Sequence, residues 1–378
     1  MASRHVDADV IVAGGGPAGS AAAIAGAQRG LRVIVFEREC FARERPGETL
    51  HPGLEPLLGQ LGVADRLAGV IGARHPGIWI EWNGERRFEP FGADARGPWT
   101  GMQVWRQDFD AMLLKRAREL GVAVCQPGVV KAMHEDGAID TSSGRKQARI
   151  LIDTTGRARL LARRLRIGFP ARSPRLLARY GYAHGACPQR DDAPALTGDA
   201  SGWIWTAKVR PNTYQWTHLA FGGRRPDPDF RPREFAHLVP AGPSRGADVT
   251  WRLSGEVARP GWFMAGDAAA LLDPASSHGV LRAITSGIMA AHLAAAVLHG
   301  KAPAGEAATA YHDWLSGWFD TDAAQLARFY RAVNAPGFAA PPAAATARGA
   351  DPAADLSGNS VTDSAGNLPA LGSARAMP

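Results

Sequence analysis

Residues 8–39 read "ADVIVAGGGPAGSAAAIAGAQRGLRVIVFERE", and the order of residue types in this stretch decides the fold. Residues 10–13 are a short apolar run of buried-strand type, and Gly14, Gly16 and Gly19 follow it at G-x-G-x-x-G spacing. Pro17 falls where a first helical turn tolerates proline, and residues 18–27 are dense in good helix formers. Gly30 ends that helix, residues 31–36 make a second strand, and Glu37 stands at its end, where an acid accepts a ribose hydroxyl. Gly14 permits the tight turn, Gly16 lets backbone approach a pyrophosphate, and Gly19 lets the helix pack on the strand. The helix start offers free N–H groups and a positive dipole end to phosphates. A bare G-x-G-x-x-G is often only a glycine-rich turn. Strand, glycines, helix, strand and acid in this order make a dinucleotide site the better reading, with Ala18 and Arg38 beside it. This unit alone does not separate nicotinamide from flavin.

The rest of the composition is that of a globular protein with a sizeable core: 378 residues, 46% hydrophobic and 21% charged. The length fits one large domain or two interleaved ones. Cys40, Cys125 and Cys187 are an odd count at unrelated spacings, so no disulfide framework or metal set follows, and a reducing compartment is expected. The first ten residues carry no apolar run of signal-peptide length, and the apolar segment 284–298 is interrupted by His292 and falls short of a membrane span. A cytoplasmic protein without a membrane is expected. The net charge of +7 comes from arginine, much of it at Arg157, Arg159, Arg163, Arg164, Arg166, Arg172, Arg175 and Arg179. That run suits either an acidic partner or a solvated helix whose stems cover apolar surface. No nucleic-acid motif accompanies it, so the solvated helix is preferred. Residues 335–378 hold one aromatic, Phe338, and otherwise small, polar and proline residues, which predicts a disordered tail.

Residues 261–291, "GWFMAGDAAALLDPASSHGVLRAITSGIMAA", place a short apolar strand before Gly266-Asp267 and a run of alanines. Here the chain resembles the FAD-dependent hydroxylases with the para-hydroxybenzoate-hydroxylase fold. In that family the late Gly-Asp pair binds the ribityl and pyrophosphate region of the flavin. Three further stretches resemble the family in the expected order. "RERPGETLHPG" (43–53) is similar to the loop that places Arg45 and Glu48 near the cofactor. "VWRQDFDAMLLKRARELGV" (104–122) is similar to the helix whose leading arginine, Arg106, contacts the dinucleotide. "ILIDTTGRAR" (150–159) is similar to the strand that ends in Asp-x-x-Gly. The resemblance spans roughly residues 8–330. It implies an α/β fold: a Rossmann-like, glutathione-reductase-type FAD-binding domain with an interleaved, mostly antiparallel β-sheet substrate domain. The expected boundaries are 1–75, 100–170 and 255–334 for the first, and 76–99 and 171–254 for the second. It also implies that Val130, Gly279 and Val280 join the cofactor-binding set. No second G-x-G-x-x-G is present, so NAD(P)H would bind transiently or a separate flavin reductase would supply electrons.

The middle segment is rich in tryptophan. "GWIWTAKVRPNTYQWTHLAF" (202–221) reads as two alternating strands joined at Pro211-Asn212. Trp203 and Trp205 share one face, and Trp216 and His218 share one face of the partner strand. The functional reading is an aromatic wall that stacks a planar substrate; the bland one is ordinary sheet packing. The same stretch resembles the flavin-dependent halogenase signature W-x-W-x-I-P, but Ala207 and Lys208 replace the isoleucine and proline. In "ARHPGIWIEW" (73–82), where halogenases carry the lysine that handles hypohalous acid, His75 is the nearest match. Halogenation is therefore second choice. "LLDPASSHGVLRAITSGIMAA" and "GWIWTAKVRPNTYQWTHL" are more similar to a halogenase-like branch that matures tryptophan-derived quinone cofactors.

That resemblance implies an FAD-dependent monooxygenase working through a flavin C4a-hydroperoxide and O2, with a partner protein's tryptophan side chain as substrate. His51 and His278 are the candidates for proton handling, since histidine titrates near neutral pH; a purely structural role is equally open to each. "DPASSHGV" (273–280) lacks the nucleophile-elbow pattern, so Ser276, Ser277 and His278 read as chamber lining rather than a hydrolytic set. No metal site is expected, and the oligomeric state stays open. A prenyl-chain reductase and a flavin-loaded scaffold that helps a partner mature by binding alone are the remaining alternatives.

Overall fold

The computed structural model describes residues 6–41, 45–46, 48–95 and 97–338. The strand Ala8–Ala13 lies at the centre of a sheet, paired in parallel with Val33–Phe36 on one side and Gly144–Asp153 on the other. Ala123–Cys125 adds beyond Val33–Phe36, and Trp262–Met264 adds beyond Gly144–Asp153, both in parallel. A parallel sheet is covered on both faces, which is why these strands read as unbroken Val/Ile runs rather than alternating ones. The long strand Gly144–Asp153 also pairs antiparallel with Ala138–Thr141, which pairs with Val130–Met133.

The helix Pro17–Ala27 is buried over Ala18–Gly26, a run of alanine, glycine, serine and one isoleucine. Small residues let it lie between the sheet and the helix Gly279–Leu298. A Cβ on Gly287 of the second helix would come within 2.1 Å of the Ala18 carbonyl oxygen, so the two backbones touch where only glycine fits. That second helix has 20 residues and a mean hydropathy of 1.6. Among the described residues it alone is long and apolar enough to cross a membrane by length and composition. In this fold it packs on the first helix.

A second sheet gathers strands from residues 77–90 and 177–248. All its pairings are antiparallel except Gly77–Trp82 with Ala195–Asp199. Its central hairpin is Gly202–Arg210 with Thr213–Ala220, turning at Pro211-Asn212 as expected. The register shifts at Val209, between the pairs Lys208↔Tyr214 and Arg210↔Thr213. An extra residue in one strand moves the partner set by one position, and a shift of one sends every side chain to the opposite face.

Two other expectations change. The arginine run is no solvated helix: only Gly156–Ala158 and Leu160–Arg164 are helical, in short turns. Arg159 is interior, 9% exposed, with its guanidinium 3.7 Å from the Phe169 ring centre. Ala335 and Phe338, expected to belong to a disordered tail, are instead buried, and Phe338 packs on Trp251 and Tyr330. The remainder, 339–378, lies outside the described residues.

Candidate active site

A cavity of about 720 Å³ runs from the glycine loop to the hairpin of the second sheet. Its two ends differ in chemistry, and each follows from the elements that make it.

The first end is built for a dinucleotide. Gly14 has φ +106, and a Cβ there would lie 2.4 Å from the Thr154 carbonyl oxygen; at Gly19 it would lie 1.8 Å from the Gly14 oxygen. The loop therefore presses against the neighbouring strand end while its outer side, with Gly16, Pro17 and Ala18, faces the cavity. The helix from Pro17 has no side-chain cap, so its first N–H groups stay available to a phosphate. The Gly15 N–H donates to Glu37 Oε2 at 2.7 Å, and the Glu39 N–H donates to Oε1 at 2.9 Å. Loop and strand-end acid are thus mutually fixed, with Glu37 buried at the cavity wall beside Arg38. Arg45, Val130, Gly266 and Asp267 line the same end. Arg106 does too; its guanidinium meets Asp110 through two bonds of 3.0 and 3.1 Å and donates to the Pro46 carbonyl at 2.8 Å. Burial works against its charge, but the Asp110 carboxylate outweighs this and raises its pKa. A backbone cradle, a strand-end acid and fixed cations match the needs of FAD, and a Cβ at Gly14 or Gly19 would push the loop off the strand end it packs on.

At the far end Trp203 and Trp205 form a wall with Ile78, Ile80, Phe91 and Leu196. Gln215 and Thr217 face the same space from the neighbouring strand. Trp216 and His218 do not. They fall on the opposite face, where Trp216 packs against Phe230 at 5.5 Å and His218 lies 4.1 Å from it, ring centre to ring centre. The register shift at Val209 is the cause. A regular two-residue hairpin would have set Trp205 against His218 and Ala207 against Trp216; instead Trp205 opposes Thr217 and Ala207 opposes Gln215.

The two ends meet at the segment 273–280. Ser277, in the left-handed region at φ +51, lines the cavity, as do Gly279 and Val280 at the start of the long helix. No side chain caps that helix, so its N–H groups and dipole favour negative charge there. Asp273 is fully buried and accepts from Trp251 Nε1 (2.5 Å), Tyr330 Oη (3.1 Å) and the Ala275 N–H (2.9 Å). Burial pushes its carboxyl up to about 6.

The histidines divide their labour. His51 lines the cavity and His278 does not; the ring centres stand 5.1 Å apart, nearly perpendicular. His51 Nδ1 accepts from the Gly53 N–H at 3.0 Å, so neutral His51 carries its proton on Nε2. Burial, then the nearby His278, lowers its pKa to about 4, which keeps it neutral at pH 7. His278 Nδ1 lies 3.1 Å from Asp322 Oδ2, so its proton points to the carboxylate and Nε2 is left with a lone pair. Both Nε2 atoms are buried, and neither has a hydrogen-bond partner among the described residues. His51 is thus a donor held at the chamber wall and cannot accept a proton at Nε2, while His278 is a base one ring behind it. His75 is 2% exposed and does not line the cavity; burial lowers its pKa to about 4. None of the chain's lysines (Lys115, Lys131, Lys146, Lys208, Lys301) lines the cavity, and Lys208 pairs with Asp191 at 3.1 Å.

Gln215, Thr217, Asp273, Asp322 and Tyr330 escaped the sequence reading as site residues. Gln215, Thr217 and Asp273 stand in stretches that had drawn notice; Asp322 and Tyr330 do not.

Fold and cavity together define an FAD-dependent enzyme. A family model described as FAD binding domain matches residues 7–157. Tryptophan 2-halogenase of Chondromyces crocatus is 28% identical over 358 residues, covering 86% of this chain and 68% of that one. Menaquinone reductase of Mycolicibacterium smegmatis is 31% identical over 334 residues, 76% of either chain. Among solved structures, the flavin-dependent brominase Bmp2 superposes with a TM-score of 0.75 at 26% identity, over 85% of this chain and 87% of that one. The chain belongs to the family of FAD-dependent enzymes that includes this menaquinone reductase, and it is similar to flavin-dependent halogenases.

Proposed function

We propose that this protein is an FAD-dependent monooxygenase that inserts one oxygen atom of O2 into an aromatic ring, the side chain of a tryptophan carried by a partner protein in the cytoplasm. One observation carries the oxygenase reading: the tryptophan-walled chamber is continuous with the dinucleotide cradle, and no lysine lines it. A halogenating enzyme needs a group that binds and orients its hypohalous species, and an ammonium does this in the halogenases the sequence resembles. The partner-borne substrate is supported by the likeness of residues 271–291 and 202–219 to flavoproteins that mature tryptophan-derived quinones.

When bound, FAD would take two electrons from NAD(P)H or a separate reductase and activate dioxygen. One oxygen atom enters a ring C–H bond to give C–OH, and the other leaves as water. The residues here have narrower tasks. Trp203 and Trp205 stack the ring and exclude water. The uncapped helix start at Gly279 stabilises negative charge on the cofactor's ring system. His51 offers an N–H at the wall, and His278, oriented by Asp322, stands behind it as a base that holds His51 in place.

The named activities of the relatives favour a second reading, halogenation of an aromatic substrate, and the menaquinone reductase favours reduction of an unsaturated chain. The test supplies the FAD-loaded enzyme with a flavin reductase, NADH and a tryptophan-containing peptide. Peptide-dependent consumption of NADH with an oxygen gained on the indole supports the proposal. NADH oxidation without change in the peptide refutes it, as does a partner-maturing role that survives loss of FAD.

A further inference from the structure

Gln215 lies on the strand Thr213–Ala220, opposite Ala207 and two residues before Thr217, and both line the chamber. Both bonds of its side chain leave from Nε2, one to the Trp216 carbonyl at 3.0 Å and one to Thr217 Oγ1 at 2.6 Å. A backbone carbonyl can only accept, so the amide has one possible orientation, with Nε2 turned inward. Among the described residues no donor reaches Oε1, on a residue only 4% exposed. Trp205, opposite Thr217 in the hairpin, lines the same chamber and supplies a flat apolar surface beside the amide. The chamber thus presents the Gln215 amide oxygen as a fixed acceptor at the rim of a ring-stacking surface.

We infer that Gln215 is a specificity-determining residue: Oε1 accepts a hydrogen bond from the ring N–H of the substrate, and Thr217 locks the amide in that orientation. The chamber then selects N–H heteroaromatics of indole type over N-alkylated or sulfur-containing rings of the same shape. The inference rests on the reading of the chamber as an aromatic-substrate site. A pocket with a buried acceptor rejects an analogue that lacks the donor, because the acceptor is left unpaired.

The test titrates the FAD-loaded enzyme with N-acetyltryptophanamide and its 1-methylindole counterpart, following the flavin absorbance. Wild type should bind the N–H probe at least about tenfold more tightly, the cost of one unpaired buried acceptor. Gln215→Met should abolish that difference by weakening the N–H probe alone, and FAD content with the melting temperature reports whether the variant is folded. The wild-type pair of titrations decides the matter even if the variant does not fold. Equal affinity for the two probes in wild type overturns the role of Gln215 and leaves the aromatic chamber standing. Failure of both probes to bind overturns the chamber reading as well.

Discussion

The indole Nε1 of Trp203 donates to the hydroxyl of Tyr330 at 2.9 Å, and that hydroxyl donates to Asp273 Oδ1 at 3.1 Å. A chamber wall on the second sheet is thereby tied to the segment that meets the cofactor, through a residue on the last helix, Ala304–Ala332. Tyr330→Phe would leave the Trp203 N–H unpaired and remove one of three donors from a buried carboxylate. The expected cost is about 1–3 kcal/mol of stability. Ring positioning should suffer too, so KM for the aromatic substrate rises while FAD remains bound. Melting curves and steady-state kinetics check both.

Asp322 should act through His278, as a positioning residue. Asp322→Asn removes the carboxylate that fixes the His278 proton on Nδ1. We expect kcat to fall at least about tenfold, less than the roughly 10²–10⁴-fold of a lost general base because the imidazole remains, with KM and FAD content little changed. A shift in the pH profile of kcat, which a merely structural role would not give, is the readout.

Glycine substitutions separate cradle from scaffold. Gly19→Ala puts a methyl 1.8 Å from the Gly14 oxygen, and Gly287→Ala puts one 2.1 Å from the Ala18 oxygen. Each forces backbone apart in a packed core, at an expected cost above about 3 kcal/mol, and the purified protein should lose FAD. Gly59→Ala, on the helix Leu54–Gln60 with nothing within 4 Å, should keep FAD and gain about 0.5–1 kcal/mol. Flavin absorbance per protein and thermal melts distinguish these outcomes.

The buried titratable groups fix the pH dependence of stability. His51 and His75 have pKa values lowered from 6.5 to about 4, so their contribution is complete above 6.5 and lost as the pH falls through 4. Asp273 works oppositely: its pKa is raised from 3.8 to about 6, so its contribution is present below 3.8 and lost as the pH rises through 6. Near pH 5 unfolding then takes up two protons at the histidines and releases one at the aspartate. Stability should rise with pH there. His75→Phe should flatten the slope of melting temperature against pH between 4 and 6, and Asp273→Asn should steepen it while lowering stability throughout.

The cofactor half of this protein was legible in sequence because its signals are local. Strand, glycines, helix start and acid sit within 30 residues, and each has one physical reason to be where it is. The reaction chamber was less legible because its determinants are not local. His278 and Asp322 stand 44 positions apart, and Asp273 and Tyr330 stand 57 apart, so no spacing links them. The register shift at Val209 has no glycine to announce it, yet it decides whether Trp216 and His218, or Gln215 and Thr217, face the cavity. The arginine run misled for a related reason, since Arg159 finds its partners Ser254 and the Ala268 carbonyl far along the chain.

The central claim is that the chamber delivers oxygen rather than halogen to an aromatic ring. One reaction tests it most directly: the FAD-loaded enzyme with a flavin reductase, NADH, a tryptophan-containing peptide, bromide and isotopically heavy dioxygen, followed by mass spectrometry of the peptide. The account predicts heavy oxygen on the indole and no bromine at any bromide concentration. A bromine isotope doublet on the indole, with no heavy oxygen retained, would contradict it.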